Sequence, residues 1–207
     1  MRFLNGALLV AVATASPATD DWPAARVKTV FSEDGARFVR IIPGDNIGAT
    51  IGFKGARSGK NGRAEFYVRQ KDRSYKLTAD ILLPNPVAPV EALLSNGGSL
   101  ITFDNWHNIG YGKVVVIYNA TAQIVRAYDL EQLYPREQVG RIPMSTSSRW
   151  WRCTPHHFVE PREQQHVYAP EFAGGYFVFD LQTGGFTYTA GSAPCQAPVG
   201  PLSATIR

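Results

Sequence analysis

Helical signal is nearly missing from this chain. Across 207 residues, apolar side chains almost never recur at the three-and-four spacing that gives a helix one buried stripe. The single short candidate is Asp129–Leu133, where DLEQL runs into Tyr134-Pro135. Long hydrophobic runs are also scarce. After Val12 no segment approaches the roughly 20 apolar residues that a spanning helix needs. No Gly-x-Ser-x-Gly elbow occurs, which removes one sequence mark of a serine nucleophile. Clustered positive charge is absent as well: 21 Lys+Arg stand against 17 Asp+Glu, a formal net charge of +4. These charges are spread along the chain, which argues against a nucleic-acid partner. Cysteine is reduced to two residues, Cys153 and Cys195.

The first residues, MRFLNGALLVAVATASPA, do carry a signal. Arg2 is a short positive start, Phe3 to Val12 an apolar stretch, and Ala13-Thr14-Ala15 a small-x-small cleavage pattern, together the pattern of a secretory signal peptide. No cysteine follows the stretch, so a lipid anchor is not expected. The expected organisation is a signal peptide over 1–15, a linker over 16–24, one domain over 25–195 and a flexible tail over 196–207, in a secreted or periplasmic protein. In that compartment an even pair of cysteines reads as a disulfide between Cys153 and Cys195. It would close a loop of about 43 residues, worth roughly 4 kcal/mol. Two sharper alternatives use Cys153: Cys–His chemistry with His156 or His157, and a zinc site from Cys153, His156, His157 and His166. The second lacks paired ligand spacing, so neither a metal nor another cofactor is expected.

The rest of the chain is short alternating or apolar runs punctuated by Gly, Pro, Asn and Asp, the pattern of an all-β domain. The expected strands are Val27–Phe31, Arg37–Ile42, Thr50–Phe53, Ala64–Arg69, Tyr75–Leu82, Val90–Leu94, Ser99–Phe103, Lys113–Tyr118, Ile124–Tyr128, His166–Ala169, Tyr176–Asp180 and Phe186–Thr189. They recur as pairs. VFSEDGARFVRI (30–41) and LLSNGGSLITFD (93–104) both read strand, tight turn, strand, with Asp34-Gly35 and Gly97-Gly98 aligned. A second hairpin type appears at 65–79 and 114–128 and again as YFVFDLQTGGFTYTA at 176–190. Gly, Asn and Asp fit such turns because they tolerate positive φ.

A Ser-x-Asp-Gly hairpin followed by an aromatic strand and a second hairpin resembles a blade of the β-propeller, of the WD40-like kind. The resemblance covers roughly residues 25–190. The segment SLITFDNWHNIGYGKVVVIYNATAQIVRAYDLEQL is similar to one in exported, functionally uncharacterised bacterial proteins. It implies antiparallel blade-like meanders. The length leaves room for about three units, whereas closed propellers have about four or more. The expected fold is therefore all-β, with about three propeller-like units, open or partial, or closed through oligomerisation; a β-sandwich is the alternative.

The candidate chemistry lies at one place. In FDNWHNIGYG an expected strand runs into Asp104, Asn105, Trp106 and His107. Asp104 and His107, three residues apart, form the only acid–base pair the pattern suggests. A structural corner explains the same residues, with Asp and Asn tying down free backbone N–H groups and the indole covering the sheet edge. Trp150, Trp151 and Arg152, flanked by Arg149 and joined by Tyr111 and Tyr134, are the other loop aromatics, suited to stacking and charge-assisted bonds. The Gly/Lys/Arg-rich stretch 54–63 reads as a mobile surface loop. The function expected is an exported, non-enzymatic binding module for a protein, peptide, glycan or anionic polymer, its surface built from Asp104, Asn105, Trp106, His107, Trp150, Trp151 and Arg152. The alternatives are an extracellular hydrolase or lyase using His107 and Asp104, and a structural subunit that completes a propeller by self-association into a homo-oligomer.

Overall fold

Alternation decides the layers. In the computed structural model, which describes residues 22–47, 50 and 59–191, the chain forms three four-stranded antiparallel sheets, each a meander of strands consecutive in sequence. Sheet 1 holds β1 (Lys28–Phe31), β2 (Arg37–Ile42), β3 (Arg63–Arg69) and β4 (Tyr75–Leu82). Sheet 2 holds β5 (Pro89–Leu94), β6 (Leu100–Asn105), β7 (Val115–Tyr118) and β8 (Ile124–Tyr128), and sheet 3 holds β9 (His157–Phe158), β10 (His166–Pro170), β11 (Tyr176–Asp180) and β12 (Phe186–Thr189). Among the described residues α-helix is confined to two four-residue turns, α1 (Leu130–Leu133) and α2 (Arg136–Val139). The sheets are not closed into a ring.

Sheet 2 is the middle layer. β6 and β7 are buried along their whole length, which is why they read as continuous apolar runs rather than as alternating ones. Side chains of odd number in these strands, Ile101, Phe103, Val115 and Ile117, join the core shared with sheet 3 and the two helical turns. Leu100, Val116 and Tyr118 point the other way, into a second core with Val39, Ile41, Ala64 and Phe66 of sheet 1. Each such apolar side chain contributes roughly 1.5–3 kcal/mol by leaving water. The remaining faces of sheets 1 and 3 end the stack.

The repeat seen in the sequence is the repeat of the sheets. The first hairpin of each sheet turns through a residue of positive φ: Gly35, Gly98 and, in sheet 3, Gln164. The residue opening each turn accepts from the strand that follows it. Ser32 Oγ takes the Arg37 N–H (3.0 Å), Ser95 Oγ the Ser99 N–H (2.9 Å), and Glu160 Oε2 the His166 N–H (3.3 Å). The three turns then meet. Asn96 Oδ1 accepts from Asp34 N (3.1 Å), Asn96 N donates to Gln164 Oε1 (2.7 Å), and Gln164 Nε2 donates to Glu33 Oε2 (2.6 Å). One buried glutamine thus ties all three sheets at their turn end. Gln164→Ala is expected to cost about 1–3 kcal/mol, by removing the bonds to the part-buried Asn96 N–H and to Glu33; urea unfolding reads it.

Several expectations shift. Strand Ser99–Phe103 begins at Leu100 and extends through Asp104 to Asn105. Expected strand Thr50–Phe53 lies outside the described residues beyond Thr50, as do the signal peptide over 1–15 and the whole tail over 196–207. β9 was not legible, because two residues carry no period. The half of the 54–63 stretch that is described is held down: Lys60 N donates to Asp45 Oδ1 (2.6 Å), Asn61 Nδ2 to Leu83 O (3.1 Å), and Gly62 N to Asn85 O (2.9 Å). The linker expected over 16–24 is docked at its end, where Pro23 O accepts from Trp106 Nε1 (2.9 Å).

Candidate functional site

The repeat places Asp104 where sheet 1 has Ile41, an interior position, and Asp104 is fully buried. A carboxylate there requires partners, and the fold supplies three. Asp104 Oδ1 accepts from Gly110 N (2.9 Å) and Trp151 Nε1 (2.8 Å), and Oδ2 accepts from Arg152 Nε. Its backbone sits at φ 57, a left-handed conformation that Asp tolerates better than most residues. Its carbonyl takes a bond from Asn85 Nδ2 (3.0 Å), which also bonds Asn105 Oδ1 (2.8 Å). Asn105 in turn donates to the carbonyl of Tyr111, closing the insertion NWHNIGYG on itself.

The corner cannot open without breaking backbone contacts. Gly110 has φ 75, and a methyl group added there would stand 2.5 Å from the Arg149 carbonyl oxygen. That carbonyl cannot retreat, because Arg149 N is bonded to Ile109 O at 2.8 Å. Gly110→Ala is expected to cost at least about 2 kcal/mol, from strain and overpacking together; a thermal melt measures it.

Behind Asp104 the charges continue. Arg152 Nη1 bonds Glu91 Oε2 (3.0 Å), and Glu91 Oε2 lies 2.8 Å from His156 Nδ1. His156 Nε2 is 3.0 Å from Arg152 Nη1. Both contacts are satisfied by a neutral imidazole that donates from Nδ1 to Glu91 and accepts at Nε2 from Arg152. Phe103 forms the floor: His156 stacks on it at 4.5 Å and the Arg152 guanidinium lies 5.1 Å from its centroid. Burial pushes His156 below the usual imidazole range, against the hydrogen bond that it donates to Glu91. Burial alone would raise Glu91, but the bond to His156 and the Arg152 charge outweigh it and hold the carboxyl at about 2. Burial, with Glu171 at 3.4 Å, also raises the Tyr134 phenol beside Trp151.

The structure thus joins Asp104, Trp151 and Arg152, which the sequence treats as possible neighbours, into one bonded cluster. It does not join Asp104 to His107: the carboxylate's bonds go to Gly110, Trp151 and Arg152. His107, at φ 73, is half-buried and stands edge-on to Trp22 at 5.9 Å. Burial lowers its pKa. Trp106 also packs on Trp22 (5.4 Å), and Arg149 stacks over Tyr111 (4.6 Å) while reaching Glu131 at 3.6 Å. The zinc candidates go separate ways, His156 to Glu91, His157 onto Tyr168 (4.8 Å) and His166 to Glu160 (2.7 Å). Cys153 is buried and is not a free thiol; Cys195 lies outside the described residues.

Glu91, His156 as its partner, and Asn85 were missed. Only Glu91 left a trace. It interrupts the apolar run PVEALL and pairs across the strands with Phe103, on the face turned toward sheet 3.

No family model matches this chain, and no curated protein does. A crystal structure of HIRA, residues 644–1017, aligns with 87% of this chain at 10% sequence identity and a TM-score of 0.37. The alignment spans 58% of that chain, so this protein corresponds to little more than half of it.

Proposed function

We propose that the protein is an exported, non-catalytic binding module that takes its ligand at the corner where 22–23, 106–111 and 149–150 meet. The observation that carries this reading is the gathering of aromatics there. All four tryptophans of the chain, Trp22, Trp106, Trp150 and the adjoining Trp151, lie in or directly beside these connecting segments and none in a strand. Buried Trp151 anchors the corner through Asp104. Trp22 and Trp150 pack against the core of sheets 2 and 3 and Trp106 against that of sheets 1 and 2, each leaving part of its ring exposed, and Arg149 is held over half-buried Tyr111. Stacking surfaces beside a guanidinium suit an acidic glycan or a similar anionic polymer. The charged residues beneath are spent on one another, so Asp104 has no lone oxygen to act as a base toward a substrate. The hydrolase alternative therefore has less support. The leader-like first residues and the blade resemblance support an exported setting, in which Cys153 and Cys195 pair.

Titrating the protein with polygalacturonate, and with neutral dextran as control, tests the reading by tryptophan fluorescence and calorimetry. Saturable quenching by the acidic polymer is expected. Trp106→Ala should weaken it about tenfold or more, as loss of one stacking platform does, and Arg149→Gln should weaken it and flatten its salt dependence. No binding to either polymer, or release of reducing ends from the acidic one, would sink the proposal.

A further inference from the structure

The stack of sheets ends on two uncovered faces, and they differ. Sheet 1 turns a cross-strand aromatic row outward. Phe31, Phe38 and Tyr67 pair across neighbouring strands, and Tyr67 pairs with Leu77 on β4. The rings touch: Phe38 lies 5.2 Å from Phe31, 4.5 Å from Tyr67 in a parallel stack and 4.8 Å from Tyr75. Phe31 is 57% exposed, Leu77 45% and Tyr75 37%, an apolar patch of the kind that marks an interaction surface. Arg40, Arg63 and Arg69 share this face with two acids, Glu65 and Asp80. Sheet 3 turns outward His157, Tyr168, Val178 and Thr187 in one row and Tyr176 and Thr189 in the next. Its acidic groups are Asp180 and, in the adjoining turn, Glu160.

We infer that the outer face of sheet 1 packs on the outer face of sheet 3 of a second copy of this chain, reciprocally, so that two chains bury all four end faces in one six-sheet assembly. Two observations select this partner. The first is continuity. Within the chain sheet 2 presents one face to sheet 1 and the opposite face to sheet 3, and the three sheets repeat the same strand order. Sheet 3 and sheet 1 of different copies are the pair that continues this relation. The second is the convergence of the turns. Glu33 of sheet 1 accepts from Gln164 of sheet 3 at 2.6 Å although sheet 2 lies between the two sheets, so the three sheets fan about this end, as reciprocal contact requires. Charge does not oppose the contact, because Arg40 and Arg63 are paired with Glu65 and Asp80 on their own face and Glu160 with His166. Reciprocal contact closes the assembly, while a one-way contact would leave an open filament. This surface lies apart from the ligand corner, and neither substitution used below touches that corner.

Light scattering after size exclusion tests it. The purified full protein should run at twice the monomer mass. Leu77→Asp on sheet 1 and Thr187→Arg on sheet 3, both at exposed positions, should each weaken dimerisation at least about tenfold while circular dichroism and melting temperature hold. Mixed in equal amounts, the two variants should recover dimer, because each keeps the face that the other has lost. Wild-type protein that is monomeric throughout the concentration series overturns the inference. So does a Thr187→Arg variant that dimerises like wild type, a mixture that stays monomeric, or a mass that keeps growing past the dimer.

Discussion

Asp104→Ala should lower the stability of the protein by about 3–5 kcal/mol, the usual cost of breaking a buried ion pair from one side. The substitution leaves the Arg152 guanidinium, 6% exposed in its side chain, facing a carboxylate that has gone. It also orphans the Trp151 indole N–H and the Gly110 amide, both buried. Alanine at φ 57 adds backbone strain, which aspartate bears more easily. Urea unfolding monitored by tryptophan fluorescence measures the loss. Asp104→Asn separates the terms. It keeps the shape and the left-handed backbone but turns an N–H or a neutral oxygen toward Arg152, so most of the loss should persist. A double-mutant cycle with Arg152→Met should then return a large coupling energy. If Asp104 served a ligand at the surface instead, Asp104→Ala would leave stability within a few tenths of a kcal/mol.

Acidification should destabilise the protein over two pH ranges, with His156 leading the upper and Glu91 the lower. His156 has its pKa lowered in the fold by burial. Below the unfolded value of 6.5, therefore, the unfolded state binds a proton that the folded state refuses, and stability falls as the pH drops from 6.5. Glu91 is depressed from 4.5 to about 2. Its contribution is complete above 4.5 and is lost as the pH falls toward about 2, with an upper bound of roughly 3 kcal/mol at 1.36 kcal/mol per unit. Denaturant midpoints taken at intervals from pH 8 to pH 2.5 should show both slopes. His156→Gln should remove most of the upper one, the remainder belonging to His107, whose pKa burial also lowers, and Glu91→Gln should reduce the lower. A flat profile between pH 6.5 and 4.5 in the wild type would show that His156 is not held neutral in the fold.

Much of the fold was legible because it rests on local chemistry. The strands Arg37–Ile42, Tyr75–Leu82, Ile124–Tyr128, Tyr176–Asp180 and Phe186–Thr189 fall where the apolar alternation puts them. The turns at Gly35 and Gly98 fall where positive φ demands glycine. The third turn of that kind was not legible, since Gln164 is neither a turn former nor small. It holds positive φ because its side chain bonds both Asn96 and Glu33. The site was legible in its members but not in its bonds. Asp104, Trp151 and Arg152 stood out as unusual residues, but the nearest histidine in sequence, His107, drew the attention that belonged to Arg152, 48 residues away.

The amino-acid order by itself determined most of the elements: every strand but β9, how they pair into consecutive hairpins, and that three similar units follow one another. Period-two patterning and turn sterics act over a few residues, so they are written locally. The tertiary structure alone decided the layers and the partners. Which face of β6 meets sheet 1 and which meets sheet 3, whether Asp104 reaches Arg152 or His107, and which two faces end the stack all depend on sheet packing. Packing energy is summed over side chains far apart in sequence, and desolvation sets the value of each buried charge by what the fold brings within about 3 Å of it.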